Sequence, residues 1–379
     1  MVLRVALVHD WLVSQRGGEA VLEGLVKLFP DAPIYTLVAD TEKISPVLRS
    51  REIKTSFLQK LPGAGPLGFR KFLPLFPKAV ASWDFSKVDL ILSTSHCVAK
   101  AAGERDGIPH ISYIHSPMRY IWDQWIHYAP KSGLGRGLLT PIRQGLQTWD
   151  YASSQRSSLR LIANSKFVAE RIRRVWNRDA QVVYPPVDTG FFKQTVVGER
   201  SHWCVLSALV PYKRIELAVQ WANAYGHSLV VIGEGPEREN LESRAGPTVS
   251  FRGRASRAEI QEVFAQAYGL LFPGVEDFGI VPLEAMAAGV PVVAFGEGGA
   301  LETVVDKGPS CSGAFFFEAN VDAIEEAAQQ VLSGLKAGGF CRSSMLRWVE
   351  EFSQDGFERT LRTAIRREAA LLGLGDNVI

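Results

Sequence analysis

The chain has 379 residues, 46% hydrophobic and 22% charged, with a formal net charge of +2, which suits two or more soluble domains with full cores. Its most apolar window, Gly279 to Gly296, is broken by Pro282, Glu284, Gly289 and Pro291, which excludes a clean transmembrane span. The four cysteines (Cys97, Cys204, Cys311, Cys341) form no C-x-x-C, so they are expected as free thiols of a reducing compartment rather than a disulfide framework or a zinc site.

The N-terminus, MVLRVALVHDWL, lacks a basic region followed by a long apolar core and reads as a strand rather than a signal peptide. A loop, HDWLVSQRGG, ends in Gly17-Gly18, and EAVLEGLVKLF then has apolar residues at helical spacing. Further strands are expected at APIYTL, VDLILS, HISYIHS and LRLIANS. Strands alternating with helices predict a parallel sheet covered on both faces. Between the first of these strands and the second lies residues 58–80, LQKLPGAGPLGFRKFLPLFPKAV, which mixes Leu and Phe with Lys60, Arg70, Lys71 and Lys78. It reads either as a packed loop with a cationic rim or as a contact with an anionic membrane surface.

At Tyr184-Pro185-Pro186-Val187-Asp188 the alternation stops, and KQTVVGERS suggests a linker. It then restarts with the strand WCVLSAL, the helix RIELAVQWANAYG closed by Gly226, and strands at SLVVIGEG, TVSFRG, GLLFPG and VPVVAF. The tail DGFERTLRTAIRREAALLG is a helix with one apolar side. The organisation is therefore α/β, two Rossmann-like domains: 1–188, a linker at 189–200, 201–352, and a C-terminal segment 353–379 that caps the second domain or packs back on the first. The halves differ in charge: residues 1–190 hold 25 Lys/Arg against 16 Asp/Glu, and residues 191–379 hold 17 against 24. An anionic surface or acceptor facing the first half accounts for this, and so do two domains that simply titrate differently.

The richest stretch is VEDFGIVPLEAMAAGVPVVAF, from Val275 to Phe295. If GLLFPG is a strand and IVPLEAMAAG a helix, Pro282 falls in the first helical turn, where its missing N–H costs nothing. The amides of Phe278, Gly279, Ile280 and Val281 then have no helix carbonyl to bond. With the helix dipole they make a seat for phosphate. Glu284, expected on the first helical turn, can accept two ribose hydroxyls. Glu276, in the preceding loop, can reach sugar hydroxyls beyond the phosphates. Acids near a helix start also stabilise it by about 0.3–1 kcal/mol with no ligand, but this leaves the Phe-Gly turn and the spacing of the two acids unexplained.

E-D-F-G-I-x-P-x-E-A resembles the E-x7-E signature of the family 4 glycosyltransferases, retaining enzymes of GT-B fold. HDWL with GGxE near the start, HSPMRYIWD at 115–123, ANS at 163–165, YPPVD at 184–188, LVPYKR at 209–214 and GEGPE at 233–237 agree, and bacterial mannosyltransferases of O-antigen or exopolysaccharide synthesis are similar in HSPMRYIWD and VPYKR. The resemblance implies a GT-B fold, with parallel sheets facing across a cleft. It implies that the C-terminal domain holds a nucleotide-sugar, with GDP-mannose expected, and that the N-terminal domain holds a saccharide or polyprenyl-diphosphate-linked acceptor. It implies that His115 contacts the donor sugar near the reacting carbon, that Lys213, aided by Arg214, meets the diphosphate, and that Gly17 and Gly18 form a glycine loop facing donor and acceptor. Asp10 and Arg119 are weaker candidates for the acceptor. Catalysis is assigned to His115, Glu276 and Lys213, which orient the sugar and stabilise charge developing at the diphosphate.

One departure stands out. The family often has an Arg five residues before the lysine, and here that position is Ala208. Trp149-Asp150 and Asn164-Ser165 match family positions whose role the sequence does not give. FGEGGA at 295–300 reads as a donor loop or as a plain turn, and GEGPER at 233–238 lacks the third glycine of a dinucleotide fingerprint. No D-x-D occurs, so neither metal nor other cofactor is expected; helix amides and Lys213 would offset the diphosphate charge. Nothing points to nucleic acid. The expected location is cytoplasmic, with peripheral contact at the inner face of the membrane. Other donors (GDP-D-rhamnose, GDP-fucose, a UDP-hexose), a sugar-nucleotide epimerase or phosphorylase, and a non-catalytic sugar-nucleotide-binding subunit remain open alternatives.

Overall fold

The computed structural model describes residues 3–14, 17–65, 68–125, 133–308, 311–375 and 378. It divides into two units: residues 1–186 with 357–379, and residues 187–356.

The first unit is built on a parallel sheet. In chain order its strands are β1 (Val5–His9), β2 (Ile34–Thr36), β3 (Ile53–Thr55), β4 (Leu90–Ser95), β5 (His110–Ile114), β6 (Leu159–Ala163) and β7 (Gln181–Val182), arranged β3-β2-β1-β4-β5-β6-β7. β1, β4 and β5 are buried along their whole length, as strands covered on both faces require. Register is continuous through the centre, with Leu7 opposite Leu92 and Leu92 opposite Ile111. The edge strands β3 and β7 were not anticipated. They are short and only partly buried, so no apolar run announces them.

The C-terminal helix Gln354–Leu371 presents Phe357, Leu361, Ala364, Ile365 and Ala369 at helical spacing, and these pack in one core with Val5, Leu7, Leu22 and Leu25. A Cβ on Gly24 would lie 2.6 Å from the Phe357 ring, so the helix Gly17–Leu28 approaches closely only through a glycine. Tyr113 meets Phe357 edge-on at 6.3 Å.

The second unit has a parallel sheet of β8 (His202–Leu206), β9 (Leu229–Ile232), β10 (Val249–Gly253), β11 (Ala267–Phe272), β12 (Val292–Phe295) and β13 (Gly313–Phe316), in the order β10-β9-β8-β11-β12-β13. The unanticipated strand is β13, a short one opened by glycine. Gly226 closes the helix Ile215–Tyr225 at φ 69°. Residues 189–200, expected as a linker, pack on this unit instead. They begin with a helical turn, Thr189–Phe192, capped by Asp188, and Phe192 is buried. The Arg342 guanidinium holds the stretch by donating to the carbonyls of Lys193 and Thr195.

Among the described residues, no helix is long and apolar enough to cross a membrane.

Candidate active site

Each sheet reverses its strand order once. Ligands of open α/β sheets gather at such points, outside the carboxyl ends of the strands.

In the second unit the reversal falls between β8 and β11. The chain leaving β8 runs through exposed Ala208 to a 3-10 turn, Pro211–Lys213, and then Arg214, which takes a left-handed φ of 54° to cap the next helix. The chain leaving β11 lies against it: a Cβ on Gly274 would sit 3.0 Å from the Lys213 Cα. This closeness brings the Lys213 ammonium onto the Glu276 carboxylate as an ion pair, each side chain 16% exposed. The loop after β12 joins them. Gly299 N donates to the Glu276 carbonyl at 2.8 Å, and a Cβ on Gly298 would lie 2.6 Å from that oxygen. FGEGGA is thus the wall that fixes the Glu276 backbone.

Gly279, at φ 92°, opens the helix Ile280–Ala287, which no side chain caps. Phe278 is buried and packs against Phe352 at 5.7 Å between ring centroids. The helix starts at Ile280, so Pro282 lies in the first turn and Glu284 in the second; the expectation that Glu284 stands on the first turn is corrected by one turn of 3.6 residues. Burial raises the Glu284 pKa to about 7, with Arg257 opposing the shift and Asp188 adding to it. The carboxyl is therefore poised to change charge near neutrality.

Arg257 was not singled out in the sequence, and Asp188 was noted only as the end of YPPVD. Asp188, last residue of YPPVD, accepts from Phe191 N at 3.4 Å and pairs with Arg257 at 2.6 Å. The Arg257 guanidinium stacks over Phe191 at 4.4 Å. Arg214 lays its guanidinium over Phe295 at 4.6 Å and borders a cavity of about 380 Å³ with Val210, Pro211, Ile215, Glu216 and Glu237. Lys213, Glu276 and Glu284 are not among its lining residues. In GEGPER, Arg238 pairs with Glu234 and Glu242, a surface network at the start of the helix Arg238–Arg244.

In the first unit the reversal falls between β1 and β4. His9, at the end of β1, is buried and bonds Thr94 of β4 through Nδ1. Burial lowers its pKa to about 3, with His96 and His115 contributing and Asp10 opposing, so His9 is neutral at physiological pH. Asp10, expected at the acceptor, is 0% exposed. Its two carboxylate oxygens accept from the amides of His96, Cys97, Val98 and Ala99 at 2.6–2.9 Å. These four bonds make it a clamp on the loop after β4. The His96 ring lies 3.3 Å from the same carboxylate through Nδ1.

His115 sits just past β5, half-buried, its amide bonded to the Ser95 carbonyl at 2.8 Å. A Cβ on Gly18 would lie 3.5 Å from His115 Nε2, so the Gly17-Gly18 helix start and His115 come together. The rings of His96 and His115 are 6.3 Å apart. Arg119 lies half-buried in the turns that follow.

Those turns are held from behind. Trp122 Nε1 donates to Asp150 Oδ2 at 2.8 Å, as does Trp176 Nε1 at 2.7 Å. Asp150 pairs with Lys100 at 3.3 Å, both side chains fully buried, and Lys100 also donates to Ser153 Oγ at 2.6 Å. Asp123 pairs with Arg171 and Arg174, and Arg171 donates to Ser116 Oγ at 2.8 Å. This supplies the role of Trp149-Asp150: the aspartate anchors the HSPMRYIWD segment. Ser165 caps the helix Lys166–Trp176 by accepting from Val168 N.

In residues 58–80, Phe69 and Phe76 are buried, Arg70, Lys71 and Lys78 are exposed, and Leu75 is 38% exposed; Pro66 and Leu67 lie outside the described residues. No cluster of three or more His, Cys, Asp or Glu among the described residues is placed to hold a metal ion.

Two family models match adjoining stretches: Glycosyltransferase Family 4 over residues 16–191, and Glycosyl transferases group 1 over residues 188–337. Over 195 residues (41% of this chain, 51% of the relative) the chain is 32% identical to the GDP-mannose-dependent alpha-(1-6)-phosphatidylinositol monomannoside mannosyltransferase of Mycobacterium tuberculosis. Over 139 residues (33% of this chain, 39% of the relative) it is 27% identical to the O-antigen chain mannosyltransferase RfbU of Salmonella typhimurium. These matches span about half or less of the curated relatives' length. Among solved structures, HepE of Anabaena in complex with UDP superposes with a TM-score of 0.68 at 18% identity, covering 96% of this chain and 99% of that one. At that identity the likeness speaks for the GT-B fold alone.

Proposed function

The chain belongs to the family 4 glycosyltransferases, and we propose that it transfers a hexose with retention, mannose from GDP-mannose, to a lipid-linked saccharide in surface polysaccharide synthesis. The observation that carries this reading is the Lys213–Glu276 ion pair at the strand reversal of the second unit. A cation and an anion stand together at the start of an uncapped helix, the pattern needed to divide a sugar nucleotide between them. On binding, Lys213 exchanges its carboxylate partner for the diphosphate, and Glu276 exchanges its ammonium partner for hexose hydroxyls. Glu284, one turn into the helix, takes the ribose diol.

As the glycosidic bond breaks, negative charge grows on the diphosphate. Lys213 and the first amides of the helix stabilise it more in the transition state than in the ground state. A lysine and amides suffice for this neutralisation, so no divalent cation is required. The mannosyltransferase relatives support the choice of hexose, and the cationic stretch Lys60–Lys78 supports peripheral contact with an anionic membrane. Incubation with a panel of sugar nucleotides and a lipid-linked saccharide, with release of nucleoside diphosphate as the readout, tests the reading. Release from GDP-mannose only in the presence of acceptor is expected. Conversion of the donor without acceptor would mark an epimerase instead.

A further inference from the structure

Asp10 is occupied with backbone amides, so the acceptor side of the first unit has to be sought among its neighbours. Trp11, the next residue, is half-buried at the carboxyl edge of β1. Its ring meets His96 edge-on at 4.3 Å and 88° and packs against Phe69 at 5.1 Å. The exposed guanidinium of Arg70 lies 5.6 Å over the same indole and 5.0 Å over Phe69. A guanidinium stacked on an aromatic face keeps its donors at the rim, in the plane that suits phosphate oxygens. Through Asp10 the His96 ring is tied to the loop after β4, and it stands 6.3 Å from His115.

Arg70 belongs to the 3-10 segment Phe69–Leu75, which also carries exposed Lys71 and Leu75, and exposed Lys78 follows in the helix Phe76–Val80. One cation of that segment is therefore folded onto the rim of the β1 and β4 loops, and the others point to no aromatic partner among the described contacts. We propose that Trp11, Arg70 and His96 form the acceptor subsite, where Arg70 grips the phosphate that links the saccharide to its lipid and Trp11 and His96 border the sugar. This rests on the transferase reading and assigns residues of this chain to the acceptor it uses.

A binding measurement tests it without turnover. Farnesyl diphosphate, a short isoprenyl diphosphate, is titrated calorimetrically into the full chain in a Lys213→Ala background, which weakens the nucleotide site. Adding Arg70→Ala is expected to weaken binding about tenfold, the loss of one or two charge-assisted hydrogen bonds, and adding Lys71→Ala about twofold or less. No change on Arg70→Ala, or equal losses from both variants, would overturn the subsite. In native protein, Trp11→Leu is expected to raise the KM for a saccharide acceptor while donor affinity stays at the native value; an unchanged acceptor KM would also count against it. The two readings fail separately. Binding that depends on Arg70 in a protein that releases no nucleoside diphosphate retains the subsite and sinks the transferase, and transfer that ignores Arg70 does the reverse.

Discussion

Lys213 and Glu276 neutralise each other at the reversal point of the second sheet, where glycines let the loops after β8, β11 and β12 touch. The pair has a consequence for kinetics. If each side chain trades its partner for part of the donor, each is needed in the transition state. Lys213→Ala and Glu276→Gln should both lower kcat by about 10²-fold or more, the usual cost of a lost charge-stabilising group. The check is steady-state turnover of GDP-mannose. A variant that keeps native kcat and loses only KM would reduce its residue to ground-state binding.

Glu284 links pH to nucleotide affinity. With its pKa raised to about 7, the carboxyl is protonated at pH 6 and ionised at pH 8, and the ionised form accepts both ribose hydroxyls. GDP should bind more tightly as pH rises across that window, and Glu284→Gln should flatten the dependence. The same shift acts on stability with the opposite sign. Between the unfolded value near 4.5 and about 7 the native state holds the extra proton, so the Glu284 contribution falls as pH rises. Glu284→Gln should then stabilise the unliganded protein at pH 8 by on the order of 2 kcal/mol, read from denaturant midpoints.

The buried Lys100–Asp150 pair sets the firmness of the HSPMRYIWD segment. Burial pulls the Lys100 pKa below its ordinary value, and Asp150 opposes that shift. Breaking such a pair from one side leaves a buried charge without its counter-ion and costs about 3–5 kcal/mol. Lys100→Met should lower stability by about that amount in urea unfolding, and Asp150→Asn added to it should recover part of the loss, because it removes the unpaired charge and keeps an oxygen to accept from the Trp122 and Trp176 indoles.

Chelation gives a further test. Because Lys213 and helix amides are assigned the work of charge neutralisation, turnover should be unchanged, within about twofold, after EDTA treatment and dialysis. A loss restored by Mg²⁺ or Mn²⁺ would overturn the metal-free reading.

Much of the fold was legible because its signals are local. The strands Leu229–Ile232 and Val292–Phe295 are apolar throughout, and Val5–His9 and Leu90–Ser95 open with apolar runs, as suits central parallel strands. The edge strands Ile53–Thr55 and Gln181–Val182 bury too little to leave a pattern. The acids of E-x7-E could be picked out because both lie in one short segment. That Glu276 pairs with Lys213, Asp188 with Arg257, and Asp10 with four amides of a distant loop depends on tertiary contacts between loops. No spacing in the chain encodes those. His9 and His96 were missed for the same reason: each is a lone histidine in sequence, and they meet His115 only across β1, β4 and β5.

A crystal structure with GDP-mannose bound would test the central assignment most directly, through the distance from Lys213 Nζ to the diphosphate oxygens. The account predicts hydrogen-bond contact there, about 2.7–3.2 Å, with Glu276 turned to the hexose hydroxyls and Glu284 on the ribose. An intact Lys213–Glu276 pair with the nucleotide bound at another place would contradict it.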